Sequence, residues 1–130
     1  MDPIKIAGPQ VEIDEAINQM LQQQSEQCTI VHCRYFTDEP TGVRIWPSAF
    51  LIEEDGVKRS LIKAFNISIM PQWTFHIVEN EFIRFTLVFE GLSKQCTQLY
   101  LLEDIPQPNG FYSELFLRNT TDVYTVAVFC

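Results

Sequence analysis

Glycine, histidine and basic residues are scarce in this 130-residue chain, and each shortage removes a class of function. Five glycines leave little room for a phosphate-cradling Gly-rich loop, and no G-x-S-x-G or H-E-x-x-H motif occurs. The two histidines are His32 and His76. His32 stands beside Cys33, but neighbours in a strand project to opposite faces of a sheet, which separates thiolate from imidazole. His76 reads as a partly buried strand residue. The acidic run Glu53, Glu54 and Asp55 lacks the spacing of a calcium loop and reads as a solvated turn. With no catalytic constellation, no metal ligands and no cofactor motif, the chain is expected not to be an enzyme.

Nine Lys and Arg stand against seventeen Asp and Glu, a net charge of −8. Such a surface repels phosphate, so neither nucleic acid nor an anionic membrane is an expected partner. No apolar run approaches the ~20 residues that a spanning helix needs. The opening MDPIKIAGPQ has no signal-peptide pattern, so a cytoplasmic location is expected. The four cysteines form no C-x-x-C, and Cys28 and Cys33 fall on opposite faces of one predicted strand, so buried thiols are expected. The glycosylation patterns at 66–68 and 119–121 carry no meaning in such a location.

What the chain has is aromatic bulk. Ten Phe, with 46% hydrophobic residues overall, suit half-buried pleated surfaces better than helices. Residues 82–103, FIRFTLVFEGLSKQCTQLYLLE, are the organising stretch. Ile83, Phe85, Leu87 and Phe89 project to one side, and a break at Gly91 leads to a second apolar run, which reads as a hairpin or tight corner. Further strands are expected over 28–36, 43–53, 59–70, 73–78, 111–118 and 123–129. Pro47 should bulge its strand or place it at an edge, and Asp55-Gly56 should form a type I′ hairpin turn. The strand at 123–129 has no charged gatekeeper and is either central or an adhesive edge. Residues 1–10 read as an extended tail, and 11–26 as an amphipathic helix with Ile13, Ile17, Met20 and Leu21 on one face. Turn signals roughly every ten residues predict a single all-β domain: an immunoglobulin-like antiparallel β-sandwich of seven or eight strands with one N-terminal helix.

Three segments carry a resemblance. They are FLIEEDGVK at 50–58, FTLVFEGL at 85–92 and LYLLE at 99–103. A strand, an Asp-Gly turn and a strand, then a Phe-x-Leu-x-Phe strand, resemble small immunoglobulin-like sandwich domains of uncharacterised bacterial proteins. The resemblance covers residues 43–103 and implies a fold and a non-enzymatic role, with no functional residue to transfer.

Two surfaces are candidates for binding. The helix face of Ile13, Ile17, Met20 and Leu21 could dock a protein partner or a second copy, against the simpler reading that it covers its own sandwich. Trp46, Trp73 and Tyr100 could stack on sugars. The expected function is a protein–protein interaction or assembly domain, with self-association as one form; a carbohydrate-type ligand module is the alternative.

Overall fold

A computed structural model of the chain describes residues 28–76 and 81–130. The expected helix at 11–26, with Ile13, Ile17, Met20 and Leu21, lies outside the described residues, as does the side chain of His76. Ten strands follow in order: β1 Cys28–Thr37, β2 Thr41–Val43, β3 Ala49–Glu53, β4 Lys58–Phe65, β5 Thr74–His76, β6 Glu81–Glu90, β7 Gln98–Glu103, β8 Tyr112–Ser113, β9 Phe116–Leu117 and β10 Val123–Phe129.

The all-β class is as expected, but the immunoglobulin-like sandwich is not what forms. The main sheet runs β3-β4-β6-β1-β10-β8-β7, and β7 pairs back onto β3, closing a seven-stranded barrel. An odd ring cannot alternate strand direction all the way round, so at least one pair must be parallel. That pair is β1 and β10, with Cys33 opposite Val126, while the other six contacts of the ring are antiparallel. Strand β9 continues β8 along the same edge of β7. Strands β2 and β5 form a separate two-stranded flap.

Inward parity builds the core. Ile83, Phe85, Leu87 and Phe89 of β6 are 0–2% exposed, the buried row that their alternation predicts. Val31 and Cys33 of β1, Leu51 of β3, Leu99 and Leu101 of β7, and Tyr124, Val126 and Val128 of β10 complete the same cluster. A barrel of this size is filled by its own side chains and has no through-channel. Cys28 lies on the opposite face of β1 from Cys33, in a small cluster with Ile30 and Val88.

Three local expectations need correction. Residues 82–103 are not a hairpin: β6 pairs with β1 and β4, whereas β7 pairs with β3, β8 and β9. The chain between them crosses one end of the barrel, held where Glu53 Oε2 accepts a bond from Ser93 N at 3.0 Å. The strand expected over 43–53 is interrupted, with Pro47 in the turn between β2 and β3, since a residue without an N–H cannot continue a ladder. Of the two readings of the strand at 123–129, the central one holds, because β1 and β8 flank β10. The β3–β4 hairpin does form at Asp55-Gly56, but Gly56 alone has positive φ (90°), and Gly56 N donates to Glu53 O at 2.8 Å. That is a three-residue loop with a left-handed glycine, not a type I′ turn.

Candidate functional site

Barrel ends are where an inward-facing row meets water, and one end of this barrel holds a recess of about 450 Å³. Strand β2 with Arg44 and Trp46 after it, the 104–110 loop, Tyr35 near the end of β1 and Cys130 surround it. Trp46 and Trp73 both line it, as the sequence grouped them. Tyr100 does not: it sits on β7 opposite Ile52, outside the recess lining.

The indoles are not bare. The Arg44 guanidinium carbon lies 4.0 Å from the Trp73 ring centroid and 5.7 Å from that of Trp46, so one cation bridges both rings. Arg44 Nη1 also donates to Pro71 O at 3.2 Å, fixing the loop that carries Trp73. Trp73 remains 59% exposed. Gly42 allows its close approach: a Cβ there would stand 3.3 Å from Trp73 Cε3, tighter than ordinary packing.

Beneath the indoles sits Glu103, the last inward residue of β7 and 5% exposed. Its Oε2 accepts a hydrogen bond from Trp46 N at 2.7 Å, and its Oε1 accepts one from Phe111 N at 2.9 Å. One carboxylate thus ties the Trp46 loop to the 104–110 loop. Burial pushes its pKa up; the two amide donors and the Arg44 charge pull the other way without cancelling it. Gly110 completes the seam, since a Cβ there would lie 2.6 Å from Glu103 O.

The third wall is Tyr35 with Cys130, whose Sγ donates to the Tyr35 oxygen at 3.2 Å. The Tyr35 ring meets Phe111 edge-on at 5.2 Å between centroids. The Cys130 bond, burial and nearby negative charge push the Tyr35 pKa up to about 12, so it is a neutral donor or acceptor at pH 7. Burial likewise pushes Cys33 up to about 12, making it an inert core thiol.

With both Glu103 oxygens engaged by the backbone, the mouth offers hydrogen-bonding and stacking groups around a held shape. Among the described residues, no three His, Cys, Asp or Glu converge as metal ligands, and no helix is long and apolar enough to cross a membrane. Sequence reasoning missed Arg44, Tyr35, Glu103 and Cys130. For Glu103 a signal existed: it shares parity with Leu99 and Leu101, so alternation points it inward.

Comparison with family models, with curated proteins and with solved structures finds no match to this chain.

Proposed function

We propose that the chain is a non-enzymatic binding module whose barrel mouth takes a small, hydroxyl-rich ligand of the carbohydrate type. The observation that carries this reading is the meeting of Trp46, Trp73 and Arg44 over one recess rimmed by Tyr35, Gln107 and Asn109. Barrel mouths are common ligand sites, and aromatic faces with a few placed polar groups suit sugar rings. A cytoplasmic location and the absence of nucleic-acid or membrane partners belong to the same reading, in line with the −8 charge.

Both tryptophans of the chain line this recess, so intrinsic emission reports on the mouth alone. Titration against a glycan panel should give a saturable change for at least one sugar class, lost in Trp73→Ala. Flat titrations across the panel would remove the ligand reading.

A second reading, a protein–protein interaction domain that self-associates, is favoured by one specific feature. On the barrel exterior, Leu102 lies opposite Tyr112, and Tyr112 opposite Phe129. One step along the parallel register from Tyr35 and Val128 sets Phe36 beside Phe129, and Phe36 pairs with Phe82. All five are exposed, and apolar rows of this kind mark association surfaces. Sedimentation velocity at rising concentration should then show a dimer that Phe129→Ser weakens; a monomer throughout would dismiss it.

A further inference from the structure

On the outer face of the barrel, away from the mouth, two arginines stand directly opposite one another. Register pairs Arg34 of β1 with Arg84 of β6. Like charges in directly opposed positions destabilise a sheet unless something neutralises them. The chain has seventeen carboxylate side chains, yet the ion pairs among the described residues are Arg59 with Glu53 and Arg118 with Asp122. Neither Arg34 nor Arg84 pairs with a carboxylate among the described residues. Arg34 Nε is moreover buried without a hydrogen-bond partner among the described residues. A buried donor left unmet is costly, and in a native fold it calls for an explanation.

The surroundings are those of an anion site. Both guanidinium groups lie against Phe82, with carbons 5.4 Å (Arg34) and 5.8 Å (Arg84) from its ring centroid. The ring contact engages the guanidinium charge, and each guanidinium carries five N–H donors besides. A cleft of about 270 Å³ opens beside them, lined by His32, Asn66, Thr86 and Thr125 as well as the two arginines. His32 Nδ1 and Thr86 Oγ1 are 2.8 Å apart and steady that wall. On the β10 side, small Ala127 stands opposite Arg34 and leaves room.

We propose that this cleft binds a phosphate group, free or as the monoester of a small molecule, between Arg34 and Arg84. A carboxylate has two oxygens and is satisfied by one arginine fork. Two forks, with hydroxyl and amide donors alongside, match a tetrahedral oxyanion with three or four oxygens. The negative charge of the whole chain opposes long-range attraction, so selectivity comes from these short contacts and not from a broad basic field. The site is independent of the barrel mouth.

The test follows arginine Nε–H resonances of labelled protein during titration with inorganic phosphate, a phosphorylated sugar and acetate. Saturable shifts at Arg34 and Arg84 are expected, with phosphate at least about tenfold tighter than acetate. Arg84→Gln and Arg34→Gln should each weaken phosphate at least about tenfold, whereas Lys94→Gln, which removes an equal charge elsewhere, should not. A tighter phosphorylated sugar identifies a monoester as the ligand, and equal affinities identify the free anion. Absence of saturable binding below about 10 mM phosphate overturns the proposal, as does wild-type affinity in Arg84→Gln. Binding of acetate as tight as phosphate overturns it too. Arg84 is exposed, so its variant keeps the fold and the comparison holds even if Arg34→Gln is unstable.

Discussion

Glu103→Gln tests whether one buried carboxylate holds the mouth of the barrel. The substitution keeps size and shape but changes acceptors. Glu103 meets two main-chain donors, Trp46 N at 2.7 Å and Phe111 N at 2.9 Å, with a separate oxygen for each. A glutamine has one oxygen, so the other amide N–H faces an NH₂ group and loses its acceptor. A buried donor stranded in this way costs about 1–3 kcal/mol. Removing a buried charge offsets part of that cost, so a net loss of about 1–2 kcal/mol is expected at neutral pH. For a chain of this length that corresponds to a melting-temperature fall of about 4–8 °C.

The pH dependence sharpens the test. Burial raises the Glu103 pKa in the folded protein, so the fold binds this proton more tightly than the unfolded chain does. Its stabilising contribution is therefore complete below the unfolded value, about 4.3, and is lost as pH rises through the folded value. Glutamine has no such dependence, and the other titrating groups are common to both proteins. The stability gap between wild type and Glu103→Gln should be widest in acid and narrow as pH rises. Urea denaturation from pH 4 upward, read by far-UV circular dichroism, measures it. A variant as stable as wild type, or a gap that stays constant or widens with pH, would refute the reasoning.

Two further outcomes follow from packing. Gly110→Ala puts a Cβ 2.6 Å from a backbone oxygen, so the 104–110 loop must move and about 1–3 kcal/mol should be lost. Tryptophan emission should shift with it if the loop and the Trp46 segment are tied through Glu103, and an unchanged spectrum would contradict that tie. Phe89→Ala, at a position wholly shielded from water, should cost about 3–5 kcal/mol in chemical denaturation, and a loss below about 1 kcal/mol would show that its row is not the core.

Much of the fold was legible because alternation states which side chains face inward. The β6 row and the inward residues of β7 and β10 follow from period two alone. Closure was not legible, since a sandwich and a barrel share the same inward parity and differ in which strands exchange hydrogen bonds. The two contacts that decide, β3 with β7 and β1 parallel to β10, join segments roughly 50 and 95 residues apart, and no local pattern encodes either. The Gly91 break misled for the same reason. A short polar connection after an alternating strand reads as a hairpin, but residues 91–97 run across the barrel end, drawn there by Glu53, whose carboxylate takes Ser93 N and Arg59 Nε.

The sites show what alternation can and cannot supply. Trp46 and Trp73 could be paired from residue type, yet Arg44 joins them only because β2 and β5 form a flap that brings the 73 position across from 44. Arg34 and Arg84 could be assigned to an outer face, but only the β1–β6 register sets them opposite each other. The reading of 53–55 as a solvated turn fails at Glu53, which is 2% exposed, although its parity with Leu51 points it inward as parity with Leu101 does Glu103. Glu53 and Glu103 each end an inward row, on strands paired antiparallel so that Glu53 meets Leu99 while Glu103 meets Ala49. They therefore sit at opposite ends of the barrel, about 14 Å apart along the strands. Each seals its end by accepting backbone amides from a crossing loop, Ser93 in one case and Trp46 with Phe111 in the other. Their chemistry diverges with their partners. At Glu53, burial raises the pKa, but hydrogen bonds from Arg59 and Ser93 outweigh it and the net shift is downward. At Glu103 the Arg44 charge acts in the same direction but does not reverse the effect of burial. The Glu53 end therefore loses stability as pH falls below the usual carboxylate range, while the Glu103 end loses it as pH rises above that range. The two ends of one barrel thus carry opposite pH dependences, set by whether a guanidinium bonds directly to the buried carboxylate, as Arg59 does at Glu53 and Arg44 does not at Glu103.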